Sequence, residues 1–285
     1  MVKYNYDILN NFNKNNYYSE PYPHFIINKV FNEETINCFK KDYELIIKEF
    51  QKTSSYKLNN KLITTNAIEI LGKGIYKKTI WYDFCKYHSS KDHLLKIFKI
   101  FYDDMNKLYP GLCEETFKYK DEDKFINYRN KKDFSLNKNY HFVADVQPAI
   151  NTPVFEKSAV RGPHVDSKNE IIGGLFYIRD ENDNTEGGNF EIYEIDRNIL
   201  FNNYEVSKKS VPKKVKIVPY RNNTAIFFIN SKKSVHGVSP RNITNHNRYL
   251  INMIIEKYTN TKGFFELKQD LSFFKKIKNY LKKFI

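Results

Sequence analysis

HFVADVQPAI (141–150), IIGGLFYI (171–178), NFEIYEI (189–195), KKVKIVPY (213–220), TAIFFIN (224–230) and RYLINMIIE (248–256) decide the fold of this chain. Each is a short run of β-branched and aromatic residues, and clusters of Gly, Asn, Asp and Pro separate them. Strand after strand, with no helical pattern between, predicts an antiparallel sandwich or barrel rather than βαβ units. The reading is α+β with a mainly β core over 140–258.

Upstream the periodicity is helical, so residues 1–139 read as an N-terminal supporting region. PYPHFIINKVF (21–31) predicts a short buried strand after a Pro-punctuated turn. Asn32 then caps a helix over 33–51, with Glu33 and Glu34 in its first turn and Phe31 stapled to Ile36. Ile36, Phe39, Tyr43, Ile46, Ile47 and Phe50 recur at helical spacing. A second helical region runs from Trp81 to Met105, broken at Ser89-Ser90. Residues 1–22 read as a poorly ordered lead-in and 107–139 as loop. The last segment, 259–285, predicts a basic amphipathic helix, with Leu267, Leu271, Phe274, Ile277, Leu281 and Ile285 on one face. Packing on its own domain or a partner subunit is the favoured role for it; peripheral membrane contact through 261–285 is the lesser one.

Composition bounds the function. The chain has 285 residues, 41% of them hydrophobic and 16% aromatic, enough for a sizeable core. No apolar run is long enough for a transmembrane helix, and the N-terminus lacks a signal-peptide core, so a cytoplasmic location is expected. Cys38, Cys85 and Cys113 are scattered with no CxxC pair, which fits a reducing compartment. The net charge of +14 would attract nucleic acid, an acidic sugar or an anionic membrane, but dispersed surface lysines are the favoured reading. Nucleic acid is disfavoured as a partner because no aromatic-basic strip suited to stacking bases occurs. GxxxxGK[ST], GxSxG and HExxH are all absent.

The chemistry concentrates in RGPHVDSKNEIIGGLFYIRD (161–180). His164 and Asp166 are two apart at a strand's edge, so imidazole and carboxylate project to the same face. Alone the pair is weak, since about one chance His-x-acid match is expected in a chain of this composition. TAIFFINSKKSVHGVSPR (224–241) adds His236, just after a strong strand and a polar turn. Two His and one carboxylate would cap one face of an octahedral ion, the arrangement of non-haem Fe(II) oxygenases; three ligands would also suit catalytic zinc. Arg248 opens the strand RYLINMIIE. An inward-facing Arg is expensive unless a carboxylate pairs with it, and a dicarboxylic cosubstrate would supply one. Tyr177 can donate a hydrogen bond to the same group. Arg241, in HGVSPR, and Arg161, just before the triad, are candidate substrate or cosubstrate contacts. His24, His88, His93, His141 and His246 lack a partnered spacing and read as structural or solvated.

These stretches resemble the Fe(II)- and 2-oxoglutarate-dependent dioxygenase superfamily, in its prolyl-hydroxylase-like branch. PYPHFIINKVFNEETI (21–36), HVDSKNEIIGGLFYIRD (164–180), TEGGNFEIYE (185–194) and FFINSKKSVHGVSPRNITNHNRYLINM (227–253) carry the likeness. The resemblance implies a double-stranded β-helix (jelly-roll, cupin-like) over 140–258, with His164, Asp166 and His236 as iron ligands, Arg248 as the 2-oxoglutarate anchor and Tyr177 as its helper. It implies Fe(II), 2-oxoglutarate and O₂ as cofactors, with ascorbate as a stimulant, and C–H hydroxylation with release of succinate and CO₂. The serine often found two residues after the anchoring Arg is Leu250 here. Asp166 is a full carboxylate, which argues against a halogenase. The substrate reads as a small molecule, a glycan or a peptidyl residue such as proline, with an anionic group suiting the basic chain. The competing reading is a non-catalytic jelly-roll module that binds glycan or protein and retains a metal site.

Overall fold

The computed structural model describes residues 6–258 and 263–270. A short strand β1 (Tyr17–Tyr18) leads to β2 (His24–Asn28) and α1 (Glu33–Gln51), then β3 (Leu62–Thr64) and α2 (Ala67–Gly72). The helices α3 (Ile80–His88), α4 (Lys91–Ile100), α5 (Tyr102–Leu108) and α6 (Leu112–Lys118) follow, then β4 (Ile126–Tyr128). The strands β5 (Phe142–Asn151), β6 (Glu170–Tyr177), β7 (Phe190–Glu194), β8 (Phe201–Asn202) and β9 (Glu205–Val206) come next. The last are β10 (Lys213–Val218), β11 (Thr224–Ile229), β12 (His236–Val238) and β13 (Arg248–Glu256).

A large sheet runs β1-β2-β11-β6-β13-β5-β3, with β4 parallel to β5 at its edge, and a small sheet runs β10-β7-β12. Tyr177, Ile226, Phe228 and Leu250 of the large sheet share a core with Phe190, Ile192 and Val218 of the small one. The two sheets therefore face each other as the two walls of a double-stranded β-helix. Phe25, Val146, Ile150, Phe176, Phe227 and Ile251 belong instead to a second core shared with the helices. Alternation along β5 explains why a strand buried at all ten positions still carries polar residues: Val146 and Ile150 meet the helices, whereas Ala149 lies in the inter-sheet core.

Local chemistry sets the helices. Asn32 accepts a hydrogen bond from Thr35 N at 2.9 Å and starts α1, whose Ile36, Phe39, Tyr43, Ile46 and Phe50 are buried. Tyr43 reaches from that helix into the sheet, its hydroxyl 2.8 Å from both Ala149 O and Leu250 O. The Ser89-Ser90 break separates α3 from α4, and Ser90 caps α4.

Three expectations need correction. The N-terminal lead-in is packed: Ile8 is fully buried and Tyr17–Tyr18 pair with β2. The stretch 107–139 contains α6 and β4, because Phe125 and Leu112 bury into the helical core. Of the helix expected over 259–285, residues 263–270 are not helical: Phe264 N bonds to Lys168 O, and Phe201 and Asp270 are joined by a backbone bond. Residues 271–285 lie outside the described residues. β1 to β4 come from the expected support region, so the sheet crosses the boundary at 139–140. No helix among the described residues is long and apolar enough to cross a membrane.

Candidate metal centre

His164 lies on an irregular segment and His236 on β12, and the two form an antiparallel bridge: His164 N to His236 O is 2.8 Å and the return bond 2.9 Å. Their rings are 4.2 Å apart between centroids. His164 Nδ1 hydrogen-bonds Gly162 O at 2.7 Å and His236 Nδ1 hydrogen-bonds Ser234 O at 2.9 Å. A carbonyl can only accept, so each Nδ1 carries the proton and each Nε2 keeps its lone pair. The Asp166 carboxylate faces both: Oδ1 is 3.7 Å from His164 Nε2 and Oδ2 is 3.5 Å from His236 Nε2. Burial pushes both imidazoles below the usual histidine range, and for His164 the neighbouring His236 adds to the effect. Two neutral imidazoles and a carboxylate whose ligand atoms all lie within 4.8 Å of one another can hold a metal ion.

The residues around the triad are built to hold it. Asn230, fully buried at the end of β11, accepts from Asp166 N at 3.3 Å and from Ser234 Oγ at 3.0 Å. Its amide donates to Ser167 O and Glu170 O. One side chain thus ties the His-x-Asp segment to the turn before His236. Phe190 stacks on His236 at 5.1 Å. Gly173 leaves space for Phe228, whose ring would lie 2.4 Å from an added Cβ.

Arg248 opens β13 and is 1% exposed. Its Nε donates to Gly188 O at 2.8 Å, one terminal nitrogen to Asn151 Oδ1 at 2.8 Å and the other to Tyr177 Oη at 3.0 Å. The rings of Tyr177 and Tyr220 lie 4.9 and 5.1 Å from its guanidinium carbon. Gly188 takes φ +72°, and a Cβ there would come within 3.0 Å of Arg248 Cδ, which accounts for the Gly-Gly hairpin. Among the described residues no carboxylate lies within ion-pair distance of this buried cation. Burial raises the Tyr177 phenol, so its proton remains available to donate.

The triad, Arg248 and Asn151 line one cavity of ≈ 270 Å³, together with Arg161, Glu170, Leu175, Phe190, Phe228, Leu250 and Asn252. Tyr177 touches this cavity through Arg248. Arg161 stands at the mouth, 2.9 Å from Glu205 and 3.4 Å from Asp166. Arg241 is not brought to the cavity: it is 2% exposed, and its guanidinium is occupied by Thr152 O and His246 O. Its five-residue offset from His236 places it on the return loop, where it clamps carbonyls. Asn151, Glu170 and Asn230 escaped the sequence reading, because an isolated Asn or Glu in a strand has no spacing signature.

A second acid-histidine group, Asp7, His88 and His93, is buried on the helical side. The lone pairs of Asp7 and His88 are engaged, whereas both ring nitrogens of His93 are buried with no hydrogen-bond partner. His88 Nε2 accepts from Ile8 N and its Nδ1 faces Phe84 O, while Asp7 is held by Lys96, Tyr87 and Leu9 N. It is a structural cluster that anchors the N-terminal segment.

The sequence profile of the 2OG-Fe(II) oxygenase superfamily matches residues 152–256, the span that carries all three triad residues and Arg248. Residues 152–256 are similar to the domains of that superfamily. No curated protein sequence matches the chain. Among solved structures, the chain is similar to a prolyl 4-hydroxylase from Phytophthora capsici, with 11% identity over 92% of this chain and 68% of that one, and a TM-score of 0.46. A prolyl hydroxylase from Trichoplax adhaerens, solved with a hypoxia inducible factor oxygen degradation domain peptide fragment, gives 12% identity, 88% of both chains and 0.45. The viral collagen prolyl hydroxylase of Paramecium Bursaria Chlorella virus-1 gives 12%, 83% of this chain, 96% of that one and 0.36. The cofactors of that family are Fe(II), 2-oxoglutarate and O₂, and the donor set of His164, Asp166 and His236 fits the metal.

Proposed function

We propose that the protein is a 2OG-Fe(II) oxygenase that holds Fe(II) through His164 Nε2, His236 Nε2 and the Asp166 carboxylate, and hydroxylates a C–H bond of its substrate. The observation that carries the reading is the convergence of these three donors in one cavity with a buried Arg248 that lacks a counter-ion. Iron, 2-oxoglutarate and O₂ together supply the oxidising chemistry, with succinate and CO₂ as co-products. The chain's own part is binding and shielding. Gly162 O and Ser234 O hold the imidazole tautomers, and Phe190 and Phe228 wall the triad with apolar surface. Arg248 and Tyr177 receive the far carboxylate of 2-oxoglutarate, as a planar fork and a phenol donor suit it. Residues 140–258 form the catalytic core, and the helices of 1–139 back its large sheet.

For the substrate we favour a peptidyl residue such as proline or a sugar of a glycan. Glu170 and Asn252 line the cavity, and neither side chain bonds to the described residues. Burial first, then the nearby Asp166 and Glu256 charges, push the Glu170 carboxyl well above the usual range. A neutral carboxyl and a carboxamide both donate and accept and carry no positive charge, which suits peptide amides and sugar hydroxyls alike. The cavity is thus less suited to an anion than the charge of the whole chain implies.

An anaerobic titration with Fe(II) and 2-oxoglutarate tests the reading through the visible metal-to-ligand charge-transfer band. The expected result is a band that needs both components and vanishes in His164→Ala. A folded, iron-binding protein with no band would overturn it.

A further inference from the structure

The geometry points to Asn151 as a second donor to the distal carboxylate of 2-oxoglutarate, working beside Arg248. This rests on the oxygenase reading and deepens it. Asn151 is the last residue of β5 and stands directly opposite Arg248 on β13 in the sheet register. It is fully buried and lines the cavity. Its Oδ1 accepts from Arg248 at 2.8 Å. That bond fixes the amide's orientation, because a flipped amide would set its NH₂ against the guanidinium N–H. Its Nδ2 is therefore committed to the other side, where it is buried with no partner.

A buried NH₂ without an acceptor is costly in a folded chain, and it stands here in a cluster with a surplus of donors. Both terminal nitrogens of Arg248 keep a further N–H, since each has two and each makes one bond. The Tyr177 hydroxyl accepts from Arg248 and retains its own proton. Leu250, the next inward position on β13, is apolar and adds nothing polar to this wall. Donors from three adjacent strands surround a cation that lacks a counter-ion. A carboxylate has lone pairs for all of them, and a neutral or cationic group does not.

The test compares two 2-oxo acids on the Fe(II)-loaded protein under anaerobic conditions, read by the charge-transfer band and not by turnover. 2-Oxoglutarate carries the distal carboxylate; 2-oxopentanoate has a methyl group there. Asn151→Ala is expected to weaken 2-oxoglutarate by about tenfold or more, the effect of losing a hydrogen bond to a charged group. It should leave 2-oxopentanoate unchanged. Asn151→Asp keeps the acceptor for Arg248 but replaces the donor by an oxygen, so it should bind 2-oxoglutarate more weakly than Asn151→Ala. The proposal falls if Asn151→Ala binds 2-oxoglutarate as wild type does, or weakens both acids equally. It also falls if Asn151→Asp binds more tightly than Asn151→Ala, which would mean that Asn151 acts only by orienting Arg248. A wild-type protein that binds Fe(II) but shows no band would instead remove the oxygenase reading itself.

Discussion

His164 and His236 exchange both of their backbone hydrogen bonds, at 2.8 and 2.9 Å, and this bridge fixes how far apart their rings stand. A metal site made this way needs no flexible side chain to search for its partner. The two imidazoles are spaced by the backbone, and Asp166, two residues after His164, reaches both.

Removing a ligand should therefore remove the metal and not the fold. His164→Ala, Asp166→Ala and His236→Ala should each lower Fe(II) affinity by about 100-fold or more, at or beyond the upper end of what losing an outer-shell partner costs. Anaerobic titration calorimetry measures this. Near-wild-type metal binding by any of the three would show that its side chain is not a ligand.

Asn230 joins the two ligand-bearing segments, so it should matter for both stability and metal. Asn230→Ala strands Asp166 N, Ser167 O and Glu170 O in a buried place. A loss of about 2–4 kcal/mol is expected from urea unfolding, with weaker Fe(II) binding. Unchanged stability would mean that these groups find other partners.

At Arg248, Arg248→Lys should not substitute. A lysine cannot meet Gly188 O, Asn151 Oδ1 and Tyr177 Oη at once, because its donors radiate from one nitrogen. The charge-transfer titration should show 2-oxoglutarate weakened by about tenfold or more, with Fe(II) binding retained. Equal affinity in the lysine variant would show that charge alone suffices.

His88 should set part of the acid limit of the fold. Burial lowers it from about 6.5 to about 4, with its Nδ1 facing Phe84 O and its Nε2 receiving Ile8 N–H. Between those values the unfolded chain binds the extra proton, so stability is full above about pH 6.5 and declines as pH falls toward about 4. His88→Gln should flatten the melting temperature against pH over that window. A slope as steep as wild type would assign the effect elsewhere.

Glu170 has the opposite sign. Its carboxyl is pushed up by burial and by Asp166 and Glu256, so its contribution declines as pH rises above the ordinary glutamate value. Glu170→Gln should stabilise the metal-free protein at pH 7 more than at pH 5 in urea unfolding. The same stabilisation at both values would show that Glu170 is ionised without penalty.

The strands, α1 and the triad could be read directly, because each depends on a period or a spacing. Runs of β-branched and aromatic residues between turn clusters mark β6, β11 and β13, the 3.6-residue repeat from Ile36 to Phe50 marks α1, and His-x-Asp puts two candidate ligands on one face. β4 and the packed N-terminal segment could not be read. Tyr128, on β4, stands opposite Ala144 on β5 and gains its strand only from that pairing, and Ile8 is buried only because the His88 cluster receives it. The Lys-rich C-terminal pattern predicted helix, yet 263–270 are not helical and bond to Lys168 and Phe201, where tertiary backbone pairing outweighs helical periodicity.

The sequence by itself determined the class of fold and named His164, Asp166 and His236 as candidate ligands, since residue type and spacing are local properties. Only the tertiary structure decided what surrounds them. It sent Arg241 to two carbonyls and Arg248 to the cavity, though both are arginines in the same loop-strand segment. It also set Asn151 across from Arg248 with one free amide nitrogen. The physical reason is that burial and hydrogen-bond partnership belong to strand register between distant segments, which no local pattern encodes.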